Sequence, residues 1–271
     1  MSAFIFLRRS WLALALLAFT AGLSAQVTPT APRTGQPGKD VIWLPSPQIL
    51  VERMLDMATV TARDVVIDLG SGDGRMVIAA AKRGARAVGV EYDATLVELS
   101  RRTAAAERVS DKATFVRADL FETDLSKATV VTLFLRDDLN LKLRPKLFGL
   151  QAGTRVVSNT FQMGDWEPDD LLVLERDCAH WCSAMLWIIP ARVHGTWRLP
   201  QGDLTLTQQF QMVSGTLRTP SGPVSITEGR LRGNEIAFAA GRQRYGGRVS
   251  GGTIAGTVTE SGRRTAWTAK R

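Results

Sequence analysis

The chain between residues 41 and 191 alternates short apolar runs with amphipathic stretches. The apolar runs are continuous and rich in valine, leucine and isoleucine, a pattern typical of strands that are buried on both faces of a sheet. The first five runs are DVVIDL (64–69), ARAVGVEY (85–92), ATFVRADL (113–120), TVVTLFL (129–135) and GTRVVSNTF (153–161). Two later runs, LLVLE (171–175) and AMLWIIPA (184–191), have no helical stretch between them and predict an antiparallel pair that closes the sheet.

Helical stretches separate most of the first five runs. Apolar positions recur with helical spacing over residues 47–58, 75–83, 94–109 and the first half of 137–150, where Pro145 restricts the helix. Repeated strand–helix units imply a parallel sheet with helices on both faces, because the connections between parallel strands are right-handed. We therefore predict an α/β fold class with a seven-stranded Rossmann-like sheet.

The pattern changes after residue 191. Short alternating runs, broken by glycine pairs and by Gly233-Asn234, predict an all-β meander of seven or eight strands, closed or sandwich-like, over residues 192–271. This part holds twelve Lys or Arg and four Asp or Glu, so it carries the whole net charge of +8. Two interpretations stay open, a solvated arginine-rich surface or a surface that binds an anionic lipid or envelope polymer. The sequence has no basic helix with interspersed aromatic residues, so no nucleic-acid partner is expected.

The first 40 residues form a separate region. Arg8 and Arg9 precede an apolar stretch over residues 11–23, which is shorter than the roughly 20 residues of a membrane span. This layout predicts a signal peptide or an uncleaved signal-anchor over residues 1–25, and with it export to, or anchoring at, the bacterial cell envelope. Residues 26–40 are rich in proline, threonine and glycine and predict a flexible linker.

Residues 65–75, VVIDLGSGDGR, place three glycines directly after the first predicted strand. A dinucleotide-binding loop has the spacing G-x-G-x-x-G, whereas Gly74 comes one residue early. Asp68 and Asp73 would repel a pyrophosphate by roughly a few kcal/mol, and they suit a cationic ligand without phosphate, such as S-adenosylmethionine. Glycines allow the loop to turn sharply and to approach such a ligand. The loop residues predicted to bind the cofactor are Asp68, Gly70, Ser71, Gly72, Asp73 and Gly74.

Two further acidic residues stand at the ends of the next two predicted strands. Glu91 can accept hydrogen bonds from the ribose hydroxyls, and Tyr92 beside it can stack on the base. Asp119 can accept from the adenine amino group while Leu120 covers the ring. A capping or surface role is the alternative for each acid. Ligands bind at the carboxyl edge of open α/β sheets, so three acids at three successive strand ends predict one cofactor site.

The motifs DLGSGDGR, GVEYD and RADLF resemble those of a class I S-adenosylmethionine-dependent methyltransferase. WLPSP, LNLKLRPKL and MGDWEPD are also similar to motifs of the bacterial relatives of mitochondrial lysine methyltransferases that act on the ATP-synthase c subunit and the adenine nucleotide translocase. The resemblance covers about residues 41–191 and not the basic β region. It implies a membrane-associated enzyme that methylates a protein lysine. A small-molecule methyltransferase and a non-catalytic envelope-binding protein are the alternatives.

The catalytic residues stay unknown at this stage, with three candidates after the fourth and fifth predicted strands. Asp137, Asn140 and Asn159 carry oxygens that can orient an acceptor amine and help its deprotonation. Capping of the helix that it opens is the alternative role of Asp137.

Cys178 and Cys182 leave three interpretations open: a disulfide, two free thiols, or a metal site with His180. Because a fourth ligand is missing, no metal is predicted.

Overall fold

The computed structural model describes residues 32–271, and the predicted signal or anchor over residues 1–25 lies outside the described residues. The described residues form one compact unit. Among the described helices, none combines the length and the apolar composition that a bilayer-spanning segment needs.

Residues 48–188 form a seven-stranded sheet with four helices, so the predicted α/β fold class is confirmed. The sheet order is β3-β2-β1-β4-β5-β7-β6, in which β1 to β5 are parallel and β7 runs antiparallel to both β5 and β6. Its strands are β1 (Val65–Leu69), β2 (Arg86–Glu91), β3 (Ala113–Arg117), β4 (Val130–Leu133), β5 (Arg155–Asn159), β6 (Asp170–Val173) and β7 (Ser183–Ile188). Its helices are α1 (Gln48–Met57), α2 (Arg75–Lys82), α3 (Ala94–Ala106) and α4 (Asp137–Phe148).

Helix α4 is longer than the sequence pattern predicted, because it continues through Pro145 and ends before Gly149. A proline removes one helical hydrogen bond. Leu143 and Leu147 on either side of Pro145 are buried in the core, and most helical stability in proteins comes from such packing.

The basic C-terminal region is a closed eight-stranded barrel, which confirms the predicted all-β meander. Neighbouring strands are antiparallel, and β8 pairs with both β9 and β15 to close the barrel. Large aromatic side chains fill the interior, with the rings of Phe238 and Tyr245 stacked 4.7 Å apart beside Trp267. The barrel strands are β8 (Gly195–Leu199), β9 (Gly202–Gln209), β10 (Met212–Thr219), β11 (Gly222–Arg232), β12 (Glu235–Ala240), β13 (Gln243–Ser250), β14 (Thr253–Glu260) and β15 (Arg263–Lys270).

One end of the barrel packs against the sheet through buried aromatic and polar contacts. The rings of Trp166 and Phe210 stack 5.5 Å apart, and Trp166 Nε1 donates to Gln211 Oε1 at 2.9 Å. Arg230 of β11 forms an ion pair with Asp169, with a separation of 2.8 Å. The barrel is therefore joined to the sheet by a specific interface and not only by the chain.

Residues 35–46, called the strap below, cross the carboxyl edge of the sheet. Gly35 N donates to Trp43 O and Trp43 N donates to Gln36 O, each at 2.9 Å, so the segment folds back on itself. Lys39 in its middle pairs with Asp119. Residues 26–40 were predicted as a flexible linker, but residues 35–40 of that range are held by these contacts. Composition could not reveal them, because the partner of Lys39 is distant in sequence.

Candidate functional site

A pocket lies where β1, β2, β3 and β4 end, and the strap covers it. Parallel strands bring the residues that follow their carboxyl ends to one edge of a sheet, which is why separate sequence motifs meet here. Nine of the ten predicted cofactor residues line the pocket, and Gly74 lies at the start of α2 just outside the lining. The nine are Asp68, Gly70, Ser71, Gly72, Asp73, Glu91, Tyr92, Asp119 and Leu120.

Asp68 is the buried carboxylate of the pocket, with 7% of its surface exposed. Its Oδ1 accepts a hydrogen bond from Thr132 Oγ1 on β4 at 2.6 Å. Burial, with a smaller contribution from the nearby charges of Glu91 and Asp73, raises the pKa of Asp68 to about 7 despite this bond. The carboxylate is therefore poised to gain from a cationic partner.

Glu91 organises the glycine loop from the end of β2. Its Oε2 accepts from Gly72 N at 2.9 Å, while its Oε1 accepts from Tyr92 N at 2.8 Å and from Asp93 N at 3.0 Å. Gly72 has a φ of +55°, a conformation that glycine adopts without strain. Carboxylate oxygens have further acceptor capacity, so the ribose contact stays a prediction beside this observed structural role.

A second buried polar group near the pocket is the hydroxyl of Ser71 in the glycine loop. Its hydroxyl Oγ is buried and has no hydrogen-bond partner among the described residues. Leaving a buried polar group unpaired costs about 1–3 kcal/mol. Ser71 lines the pocket, but its Oγ packs against Gly89 of β2, where an added Cβ would come within 2.6 Å of it.

Asp73 is the loop acid whose charge is compensated within the protein. Arg75 Nε donates to its carboxylate at 2.9 Å, and the same guanidinium donates to Ser46 O at 2.7 Å. The glycine-loop motif predicts that Asp73 presents its negative charge to the ligand. In the structure its partner is instead Arg75, which ties the glycine loop to the strap.

Asp119 lies at the opposite side of the pocket, where the strap closes it. The hydrogen bond from Lys39 lowers the pKa of Asp119, and the amide of Phe121 also donates to this carboxylate. Lys39 also lies over the ring of Tyr92, with its Nζ 4.9 Å from the ring centroid. Sequence reasoning missed Lys39, because it stood in the predicted linker. The adenine contacts of Asp119 and Leu120 stay predictions.

We expect Lys39→Met to loosen the strap without affecting the sheet. The substitution keeps an aliphatic stem but removes the charge that attracts Asp119 and the Tyr92 ring. Amide hydrogen exchange at Trp43, whose N–H closes the strap, should accelerate by about fivefold or more at low salt. Lys82→Met, which breaks an exposed pair with Glu107, is the matched control. Unchanged exchange at Trp43 would show that the ion pair does not hold the strap.

None of the three catalytic candidates lines the pocket of the described structure. Asp137 Oδ1 accepts from Gln162 N at 2.7 Å, and Asn140 Nδ2 donates to Phe161 O at 3.2 Å. Both residues hold the segment that follows β5. Asn159 Nδ2 donates to Ser46 Oγ at 2.9 Å and so holds the end of the strap. In the described structure these three side chains therefore make contacts within the protein, and their catalytic role stays a prediction.

A second groove adjoins the pocket and is lined by the strap, Arg136 and three aromatic residues. The aromatic residues are Phe134 after β4, Phe161 after β5, and Trp181. Trp181 lies within the disulfide that joins Cys178 and Cys182, so the disulfide is the interpretation that the structure supports. Sequence reasoning overlooked these aromatics, whose only signal was their position after the ends of strands or between two cysteines. Among the described residues, no group of His, Cys, Asp and Glu is arranged to hold a metal.

Comparison with known proteins identifies similar sequences for the sheet region. A family model described as the ANTKMT methyltransferase domain matches residues 68–170, which end before the barrel. A protein-lysine N-methyltransferase of Saccharolobus islandicus is 41% identical over 138 residues, which are 50% of this chain and 86% of that protein. The mouse adenine nucleotide translocase lysine N-methyltransferase is 39% identical over 105 residues, 38% of this chain and 46% of that protein, so this chain spans about half of its length.

One solved structure is similar in both sequence and fold. The crystal structure of an RNA methyltransferase from Salinibacter ruber in complex with S-adenosyl-L-homocysteine is 49% identical to this chain. The match covers 55% of this chain and 96% of that one, with a TM-score of 0.52. That protein was therefore crystallised with the product form of the cofactor that the glycine loop predicted.

Proposed function

Because this chain belongs to the ANTKMT methyltransferase family and is an S-adenosylmethionine-dependent methyltransferase, we propose that its methyl acceptor is the side-chain amine of a protein lysine. The structural observation that carries the cofactor assignment is the buried carboxylate of Asp68 at the end of β1, in the pocket that the glycine loop also lines. The 41% identity to a protein-lysine N-methyltransferase supports the choice of acceptor.

The residues of the pocket fit S-adenosylmethionine better than a phosphate-containing cofactor. S-adenosylmethionine has an ammonium and a sulfonium and no phosphate, and the walls offer the buried carboxylate of Asp68. The cations that line the pocket, Lys39 and Arg75, are engaged by Asp119 and Asp73. A pyrophosphate would therefore meet carboxylates without a free cation among the described lining residues. Asp68, Ser71 and Glu91 are the residues that would hold the cofactor.

The protein contributes orientation and exclusion of water to the reaction. When bound, S-adenosylmethionine supplies a methyl group from its sulfonium: the amine lone pair forms the new N–C bond, the S–C electron pair stays on sulfur as a neutral thioether, and the amine proton leaves to solvent. Glu91 keeps the glycine loop in its binding conformation. Trp43 of the strap lies so close to Gly72 that a Cβ there would come within 2.6 Å of Nε1, so the strap covers the loop.

The acceptor amine has to be neutral before it can form the new bond. A lysine ammonium loses its proton more readily when it is removed from water, because burial disfavours the charged form and lowers its pKa. The three candidate residues Asp137, Asn140 and Asn159 make contacts within the protein and do not line the pocket. We therefore propose that desolvation at the site, and not a dedicated general base, produces the neutral amine.

Methyl-labelling of an extract tests the acceptor class. We expect purified enzyme with tritiated S-adenosylmethionine to transfer label to macromolecules that protease digests and ribonuclease does not, with methyllysine recovered after acid hydrolysis. Label in the protein of the membrane fraction would also support the predicted envelope association. Heat-inactivated enzyme gives the background. Ribonuclease-sensitive label, or label confined to small molecules, would contradict the lysine proposal.

RNA is the second acceptor class, and two observations favour it. The Salinibacter ruber protein at 49% identity is described as an RNA methyltransferase. The barrel region, residues 192–271, carries the entire net charge of +8, which attracts polyanions in general. The same positive charge would attract an anionic lipid or envelope polymer, and binding of such a partner by the barrel stays a prediction. The ribonuclease arm of the labelling experiment separates RNA from protein acceptors, and fractionation separates membrane from soluble ones.

A further inference from the structure

The groove beside the cofactor pocket adjoins it as an acceptor site must. It shares Phe134 and most of the strap with the cofactor pocket, so the two are continuous. Its remaining wall residues, Arg136, Phe161 and Trp181, do not line the cofactor pocket. A site for a second reactant has to adjoin the first in this way, because the two reacting atoms must come into contact.

The three aromatic rings of the groove form one continuous apolar wall. The ring centroids of Phe134 and Phe161 are 6.1 Å apart, and Trp181 lies 5.7 Å from each of them. These separations are ordinary contact distances between rings, so the three side chains form one contiguous aromatic surface that lines the groove. Such a wall can cover the methylenes of a long side chain and attract an ammonium to a ring face.

Two sets of contacts hold this wall in place. Asp137 and Asn140 bind the backbone around Phe161, as described above. Trp181 has a φ of +58° and stands inside the Cys178–Cys182 disulfide, and Leu174 N donates to Cys182 O at 2.8 Å. Trp181 nevertheless keeps 37% of its surface exposed, which is a large apolar exposure for a side chain held so tightly. Its placement therefore suits a contact with a further molecule.

The charges around the groove favour a cationic occupant. Its two cations are engaged, Lys39 by Asp119 and Arg136 by Asp138, the latter with a separation of 2.7 Å. Asp40 also lines the groove, and its carboxylate lies 3.8 Å from Lys39 Nζ, so Lys39 faces two carboxylates. An incoming ammonium thus meets ring faces and compensated charges, without a free cation among the described lining residues.

We propose that this groove receives the lysine side chain that is methylated, and that the Cys178–Cys182 disulfide fixes Trp181 as part of its wall. The methylenes of the lysine lie along the rings of Phe134, Phe161 and Trp181, and its amine points toward the cofactor pocket. This inference rests on the proposed function, because it assigns the acceptor site of that reaction. It makes Trp181 a substrate-binding residue, and it makes the disulfide a redox-sensitive support for acceptor binding.

A bisubstrate ligand tests the groove without knowledge of the acceptor protein. The probe is an S-adenosylhomocysteine analogue with nitrogen in place of sulfur, carrying a two-carbon chain that ends in an ammonium, which places the ammonium close to where the acceptor amine would lie. A matched ligand ends in a hydroxyl. We expect the wild-type protein to bind the ammonium ligand about tenfold more tightly than the hydroxyl ligand in calorimetry. In Trp181→Ala this advantage should fall to about twofold or less, while the Kd of S-adenosylhomocysteine stays within about twofold of wild type.

The remaining variants separate the wall from general effects on the fold. Phe161→Leu should reduce the ammonium advantage in the same way as Trp181→Ala. Cys178→Ser with Cys182→Ser, or wild-type protein under dithiothreitol, should reduce it by about threefold, because Trp181 is no longer held. Val173→Ala, which truncates an exposed apolar side chain outside the groove, is the control and should bind both ligands as wild type does.

The outcomes distinguish this inference from the proposed function. Tight binding of S-adenosylhomocysteine without an ammonium advantage in the wild type would overturn the acceptor groove and leave the methyltransferase function standing. An advantage that survives in both Trp181→Ala and Phe161→Leu would also overturn it. Failure of the wild type to bind S-adenosylhomocysteine would overturn both. An advantage in the wild type that both variants lose supports the groove.

Discussion

Asp68→Asn is expected to weaken S-adenosylhomocysteine binding by at least about 100-fold and, above pH 7, to make the ligand-free protein more stable than the wild type. The two effects have one cause. Asp68 is buried, and burial raises its pKa to about 7, so above that pH the empty site holds a desolvated negative charge. A bound ammonium compensates this charge, whereas the ligand-free protein has to tolerate it.

The sign of the stability effect follows from proton binding. The folded state keeps a proton on Asp68 up to about pH 7, whereas an unfolded chain releases it near pH 4. The folded state therefore binds more protons between these values, and its stability falls as the pH rises through that window. The amide of the variant would carry no charge, so the advantage of Asp68→Asn over the wild type should be small below pH 4 and reach about 2–4 kcal/mol above pH 8.

Urea unfolding at several pH values and calorimetry with S-adenosylhomocysteine measure both effects. In the wild type, affinity for the ligand should weaken by up to about tenfold per pH unit below pH 7, because the protonated carboxyl does not attract the ammonium. This dependence should be missing in the variant. A variant that is less stable than the wild type at pH 8.5, or that retains tight binding, would show that Asp68 does not have this role.

Asp64, the residue before β1, is the matched control, because the shift of its pKa has the opposite sign. It is also buried, which would raise its pKa, but hydrogen bonds from Thr61, Thr129 and Arg155 lower it overall. Its ionised form therefore contributes stability that is present above pH 4 and lost as the pH falls through its lowered pKa. Asp64→Asn should destabilise the protein by about 2–4 kcal/mol at pH 7, because it leaves Arg155 without its charged partner.

Gly74→Ala is expected to lower the free energy of unfolding by about 2–5 kcal/mol, the largest loss of stability that a single methyl group should cause in the glycine loop. Gly74 has a φ of +82° at the start of α2, a conformation that costs a residue with a Cβ about 1–2 kcal/mol. An added Cβ would also lie 2.7 Å from the ring of Phe115 and 2.8 Å from Ser100 Cβ, and both residues are buried. Overpacking of this kind typically costs about 1–3 kcal/mol more.

Gly262→Ala isolates the crowding contribution, because Gly262 has the same φ of +82° and open space around its Cβ position. It should cost only the backbone term of about 1–2 kcal/mol. Urea unfolding of both variants at one pH gives the difference directly. Calorimetry should also show weaker cofactor binding for Gly74→Ala alone, since the loop has to shift. Equal losses of stability would mean that the packing of Gly74 against Phe115 is not tight.

Much of the sheet and the barrel could be predicted, because their signals are local. The apolar runs of β1 to β5, the cap of α3 by Asp93 and the Gly251-Gly252 turn of the barrel each lie within a few residues, whereas the pair Gly246-Gly247 lies inside β13. Helix α4 shows the limit of such signals. Its passage through Pro145 depends on the burial of Leu143 and Leu147, and periodicity alone does not measure packing energy.

The candidate site divides in the same way. The glycine loop and the acids at the ends of β1, β2 and β3 could be placed at one edge, since parallel strands bring their carboxyl ends together. The contacts of Asp137, Asn140 and Asn159 could not be predicted, because their hydrogen-bond partners lie in distant segments. Asp137 and Asn140 bind the segment after β5, and Asn159 binds Ser46, which precedes α1.

The sequence by itself determined the α/β sheet, the all-β C-terminal meander and a phosphate-free cationic cofactor, because these follow from patterns within short windows, whereas the closure of the meander into a barrel does not. Only the tertiary structure decided that the strap closes the pocket through Lys39 and Asp119, which are 80 residues apart, and that Trp181 meets Phe134 and Phe161. These pairings involve long side chains at ordinary positions. Which side chains meet depends on the packing of the whole chain, so no local sequence pattern predicts these contacts.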